Sequence, residues 1–150
     1  MAADAVYDTI KAYLQDPVNV AVLADPITSV VPSFRFENEA FEKPNPPVPW
    51  IAMTLTGVLY GQQSMGASEQ ADNRWDEAGH LWFQIFAQTG SGSSRARQLA
   101  KQLADIFRGL TLLNGSLEFL DTFIGEGEPA PEEGNWYRLT TVIDWRRVEA

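Results

Sequence analysis

The strongest constraint on this chain's fold is a period-two alternation of apolar side chains that occurs twice near its centre. From Trp50 to Val58, Ile51, Met53 and Leu55 oppose Ala52, Thr54 and Thr56, the pattern of a strand buried on one face. From His80 to Thr89 the alternation returns, with Leu81, Phe83, Ile85 and Ala87 opposing His80, Trp82, Gln84, Phe86 and Gln88. Two such strands pair, and their apolar face needs a cover. A helix capped by Ser93 or Ser94 supplies one, because Leu99, Leu103, Ile106, Phe107 and Leu110 stand at helical offsets. An earlier helix follows Asp4, with Val6, Tyr7, Ile10, Tyr13 and Leu14 on its apolar side, and ends at Asp16, the residue before Pro17. Leu117 to Ile124 and Trp136 to Val148 read as further strands, the second with Tyr137, Leu139, Thr141, Ile143 and Trp145 on one side. The predicted fold class is α+β, a mostly antiparallel sheet of about four or five strands with two helices packed on one face.

The connections are long. Seven of the nine prolines fall between Pro17 and Pro49, so residues 15–49 are expected to form an irregular arm with a short strand at Ser33 to Glu37. Residues 59–79 are expected to form a long loop, polar and glycine-containing yet carrying Tyr60, Met65, Arg74 and Trp75. Gly125 to Gly134 reads as an acidic, flexible turn. No repeat and no second compositional regime divides the chain, so residues 1–150 are expected to form one domain. At 150 residues about two-thirds of the unfolded surface can be buried.

Composition removes whole function classes. With no cysteine, disulfides, thiolate metal sites and thiol nucleophiles are excluded. His80 is the single histidine, so no histidine-based metal cluster can be assembled from this chain alone. The net charge of -9 opposes the phosphate contacts on which nucleic-acid affinity rests. No apolar run is long enough to span a bilayer, and the acidic N-terminus does not read as a secretion signal, which predicts a cytoplasmic origin.

The arrangements that resemble catalytic motifs are incomplete. Gly90 to Arg95 follows a strand and opens a helix, where a dinucleotide-binding glycine turn would sit, but Arg95 stands where the third glycine belongs. The plain alternative is a flexible strand-to-helix turn. Ser64 lacks the first glycine of a nucleophile elbow. Asp76 with Glu77, and Glu132 with Glu133, project to opposite sides in extended chain, which suits solvation better than paired acid–base work. No catalytic residue, cofactor or metal is assigned.

A basic stripe stands out on this acidic chain. Arg97, Lys101 and Arg108 lie within about 40° on the helix face opposite the apolar stripe. They read either as a solvated face, with Lys101 and Asp105 forming a weak i,i+4 pair, or as a docking face for acids of a neighbouring subunit such as Glu126, Glu128, Glu132 and Glu133.

The order of elements has a family likeness. A helix is followed by a proline-rich arm, the Phe36 to Phe41 segment with Pro44 and Pro46, and the Pro49 to Leu55 strand. After a long loop come the aromatic strand Gly79 to Ala87, the Gly/Ser turn from Thr89 to Gly92, an amphipathic helix from Ala96 to Leu110, and Gly134 to Leu139. Taken together this resembles the tail terminator, or tail completion, proteins of long-tailed bacteriophages and prophages. The resemblance implies a non-enzymatic virion subunit that forms a homo-hexameric ring at the head-proximal end of the tail. Such a ring is assembled in the host cytoplasm, caps the tube of major tail tube protein, stops its elongation and offers a joining surface to the neck or connector protein. DNA would pass through its channel without specific binding. Tyr60, Met65, Arg74 and Trp75 are then the candidate contacts to the tube or neck. Competing readings are another tail or neck completion component, a small ligand-binding domain using Gly90 to Arg95, and a two-fold adaptor burying Trp75 or Trp82.

Overall fold

A computed structural model describes residues 4–27, 29–44, 48–62, 75–130, 133 and 136–149. The first helix, α1 (Asp4–Gln15), buries Val6, Ile10 and Leu14, the positions its periodicity predicts. It stops where Asp16 turns its carboxylate onto the next segment, accepting a hydrogen bond from the Val18 amide at 3.0 Å. Pro17 occupies the first turn of α2 (Pro17–Val20), which runs into a 3₁₀ turn at Ala21–Leu23. The expected irregular arm thus holds local structure, and a four-residue helix is too short to have shown a period.

Among the described residues the sheet has six strands in the order β1-β2-β3-β6-β5-β4. Their spans are β1 Ser33–Arg35, β2 Trp50–Gln62, β3 Trp75–Gln88, β4 Thr111–Leu112, β5 Leu117–Ala130 and β6 Trp136–Glu149. Helix α3 (Ser94–Phe107) lies between β3 and β4 in sequence. The sheet is mixed, because β1 runs parallel to β2 while the other pairs are antiparallel. Six strands exceed the four or five expected. Strand β4 has two residues and shows no alternation; after it the chain reverses through Leu113, Asn114 and Gly115, all at positive φ.

Two boundaries differ more. Strands β2 and β3 reach Gln62 and Trp75, with Gln62 opposite Trp75, so much of the expected 59–79 loop is a continued ladder. The acidic segment after Gly125, expected to be a flexible turn, belongs to β5, with Gly127 opposite Leu139 and Ala130 opposite Trp136. Irregularities between Phe119 and Thr122 and between Ile124 and Gly127 reset the register of β5. Bulges of this kind erase the continuous alternation by which a strand is recognised. A Cβ at Gly127 would overlap the outer end of the Tyr137 side chain, so any larger residue there requires that ring to move.

The sheet's two faces differ. Ile51, Met53, Leu81, Phe83, Ile85, Leu139, Ile143 and Trp145 form one core with α1 and α3. Phe107 is its hub: its ring lies 5.7 Å from Phe83, 4.8 Å from Phe119 and 6.1 Å from Tyr13 of α1. The opposite face carries no helix among the described residues. At one end of it Trp50 stacks on Phe86 at 4.1 Å and meets Trp136 edge-on, with Phe41 of the arm over Trp50.

Arg95 fastens the arm. Its guanidinium donates to the Leu23 carbonyl at 2.7 Å and the Gln98 carboxamide at 2.8 Å, while Nε stands 3.7 Å from Asp25 Oδ2. The residue that breaks the glycine motif is therefore a clamp between arm and helix.

Two substitutions test this packing. Gly79 sits where a Cβ would overlap the Thr56 carbonyl and come within 2.8 Å of the buried Trp145 ring. Gly79→Ala is expected to cost about 1–3 kcal/mol in urea denaturation, and an unchanged midpoint would contradict the close approach. Arg95→Ala is expected to cost about 1–3 kcal/mol and to speed proteolysis between residues 16 and 32. Arg95→Lys should recover little, since one ammonium does not reproduce a guanidinium fork.

Candidate assembly surfaces

Helix α3 places Arg97 and Lys101 on the outside of the helix layer, since Ala96, Leu99, Ala100, Leu103 and Phe107 face the sheet; it ends at Phe107, short of the expected Leu110, so Arg108 is its extended C-cap residue and not part of the helical stripe. Arg97, Lys101 and Arg108 are all exposed. The stripe is partly neutralised from within. Asp105 lies 2.6 Å from Lys101 Nζ and 3.9 Å from Arg108 Nη1. Hydrogen bonding to the Lys101 ammonium holds the Asp105 carboxyl below the usual carboxylate range. A carboxyl lowered in this way contributes above its unfolded pKa and is lost as pH falls through the folded value; at an exposed pair that contribution is small. Ser93 occupies the N-cap position but makes no side-chain cap; its hydroxyl accepts from Arg97 Nε at 3.2 Å.

The acids proposed as partners are not equivalent. Glu128 binds Arg138 at 2.6 Å across the β5–β6 ladder. Glu133 lies 3.2 Å from Arg35 and 3.1 Å from Lys43, tying the strand end to the arm. Glu126 is exposed at a bulge of β5, and among the described residues no ion pair holds it. Glu132, Met65 and Arg74 lie outside the described residues, as do the side chains of Tyr60 and Trp75. Tyr60 and Trp75 are placed at opposing strand ends by backbone pairing, opposite Glu77 and Gln62.

Strand β5 carries a feature that charge patterning passes over. Leu120 is 51% exposed, Phe123 72% and Ile124 42%. Phe123 is level with Val142 and Trp82 on the uncovered sheet face. Together with Gly125, Thr140, His80 and Asp144 they line a shallow depression of about 430 Å³. His80, read as structural from its place near a strand start, pairs with Asp144 at 2.6 Å and meets Trp82 edge-on. Leu117 to Ile124 reads from the sequence as a strand, but nothing in its pattern marks Leu120, Phe123 and Ile124 as exposed. A second apolar patch, Val18, Val22 and Ile27, stands on the arm, with Ile27 92% exposed.

Among the described residues no three His, Asp or Glu side chains are grouped so as to hold a metal ion. Asp76 is buried, but Arg146 binds it at 2.6 Å, which accounts for its charge structurally.

Comparisons with known proteins agree with an assembly role. Residues 6–145 match the family described as phage tail terminator protein. No curated protein matches. Among the solved structures that match, one is similar with a TM-score of 0.62, covering 95% of both chains at 16% identity, which shows a shared fold. With the match running through nearly every element described above, the chain belongs to the phage tail terminator protein family, as a structural component of the virion tail.

Proposed function

We propose that this chain closes into a six-membered ring on the head-proximal end of the tail tube, halts tube growth and presents the surface to which the head is joined. The family match over residues 6–145 carries this reading. A ring subunit needs two unlike faces that meet head to tail, because a self-complementary face stops at a dimer. The chain has unlike faces to offer: the basic stripe of α3 on the helix layer, and β5 with its acids and exposed apolar side chains.

Charge is compatible with the channel. Six copies of a -9 chain carry about -54, and a ring of that sign lets DNA pass without the counterion-releasing contacts that produce binding. Contacts to the major tail tube protein and to the neck or connector protein are assigned to the segment from Tyr60 to Trp75, which joins the ends of β2 and β3.

Electron microscopy of the purified protein, alone and with tail tubes, tests the reading. Six-fold rings, or extra density on one tube end, are expected; monomers that ignore tubes would overturn it. The basic stripe has its own test. Arg97→Glu with Lys101→Glu should leave the thermal midpoint nearly unchanged, as substitutions at exposed positions do. The same pair should shift sedimentation from ring to monomer. Rings that persist would remove the stripe from the subunit contact.

A further inference from the structure

We propose that neighbouring subunits join edge to edge, the outer edge of β5 in one copy pairing antiparallel with the outer edge of β2 in the next, in a fixed direction of stagger. This rests on the ring reading and adds to it the contact surface.

Both ends of the sheet are incompletely covered. At one end β1 pairs only with Trp50–Ala52 of β2, and the Glu37 carboxylate takes the Leu55 amide. From Thr56 to Gln62 no strand among the described residues lies outside β2. At the other end β4 pairs only with Leu117 and Glu118 of β5. From Phe119 to Ala130 the outer edge of β5 has no strand partner among the described residues, and Leu120, Phe123 and Ile124 are exposed on it. Long edges with exposed apolar side chains present unpaired backbone groups that recruit another strand.

Strand direction selects the partner. Strands β2, β3, β6 and β5 alternate in direction. If the next copy follows by the rotation of a head-to-tail ring, its β5 lies antiparallel to β2 and the alternation continues across the junction. Pairing of β5 with a second β5 would require a two-fold axis and would stop at the dimer.

The covers also fix the stagger. Trp50 is level with Phe86, Arg138 and Glu128, whereas Leu59 is level with Ala78, Arg146 and Glu118. Thus β1 blocks β2 at the end where β5 is open, and β4 blocks β5 at the end where β2 is open. The two free stretches meet only when the incoming β5 slides toward the Gln62 end of β2. Closing a sheet on itself demands such a stagger between strands.

A cysteine-free chain makes the contact readable by disulfide trapping. Thr56, Phe123 and Glu128 lie on the uncovered sheet face, in register with His80, Val142 and Arg138 respectively. Thr56→Cys mixed with Phe123→Cys or with Glu128→Cys brackets the slide. After oxidation of assembled rings, one mixture should give covalent dimers on a non-reducing gel, and each variant alone only monomers. Phe123→Lys should abolish rings without changing the circular dichroism spectrum or the thermal midpoint. Rings that form with no cross-link in either mixture, and that survive Phe123→Lys, would overturn the edge contact and leave the ring reading standing. Cross-linking of Phe123→Cys by itself would show a two-fold β5 contact and overturn the head-to-tail pairing. A wild-type chain that makes no ring, alone or on tubes, would overturn both.

Discussion

The structure depends on one aromatic contact, Phe107 of α3 held among Phe83, Phe119 and Tyr13. Through it the helix layer, the sheet centre and the first helix share a single dry core. Burial of that kind is the main favourable term in folding, and most of it lies on one side of the sheet, with the smaller cluster of Trp50, Phe86, Ala130 and Trp136 on the other. The rest of that other face and stretches of both edges are left for other uses. A helix layer on both faces would have buried His80, Trp82 and Phe123; here they line an open depression.

The asymmetry explains how an acidic, cysteine-free chain can have a specific role in assembly. Its potential for specificity lies in surfaces and not in a pocket. Charged residues that might have served as contacts are largely used internally: Glu133 joins Arg35 and Lys43, Glu128 joins Arg138, and Asp76 joins Arg146. The exposed pairs of Glu133 and Glu128 contribute little stability but hold the arm and the strand ends in place, while Arg146 compensates the buried Asp76 carboxylate. The surfaces left over are the outer side of α3 and the apolar side chains of β5, which belong to different layers.

Much of the fold was legible because the core obeys simple periods. Leu81, Phe83 and Ile85 face inward as their alternation requires, and Leu99, Leu103 and Phe107 as helical spacing requires. What escaped had a local cause. Strand β5 beyond Ile124 reads as a turn because Gly125, Glu126 and Gly127 combine residues poor in strand propensity with a bulge. Strand β4 is too short to carry a period, whereas the short strand expected at Ser33 to Glu37 is present as β1 at Ser33–Arg35. The role of Arg95 depends on the Leu23 carbonyl, far away in sequence, and no local pattern encodes such a contact. At the candidate surfaces, the basic stripe could be located from spacing alone, whereas the pairing of Glu128 and Glu133 within the chain could not. The exposed side of β5 also depends on how little of it β4 covers, a property of topology.

The proposed role of this chain is to determine where a tail tube ends. It is tested most directly by the length distribution of tubes assembled from major tail tube protein with and without this chain present. Overlong, heterogeneous tubes are expected in its absence, and arrested tubes, each capped at one end, when it is supplied. Tubes of the same length distribution in both conditions would contradict it.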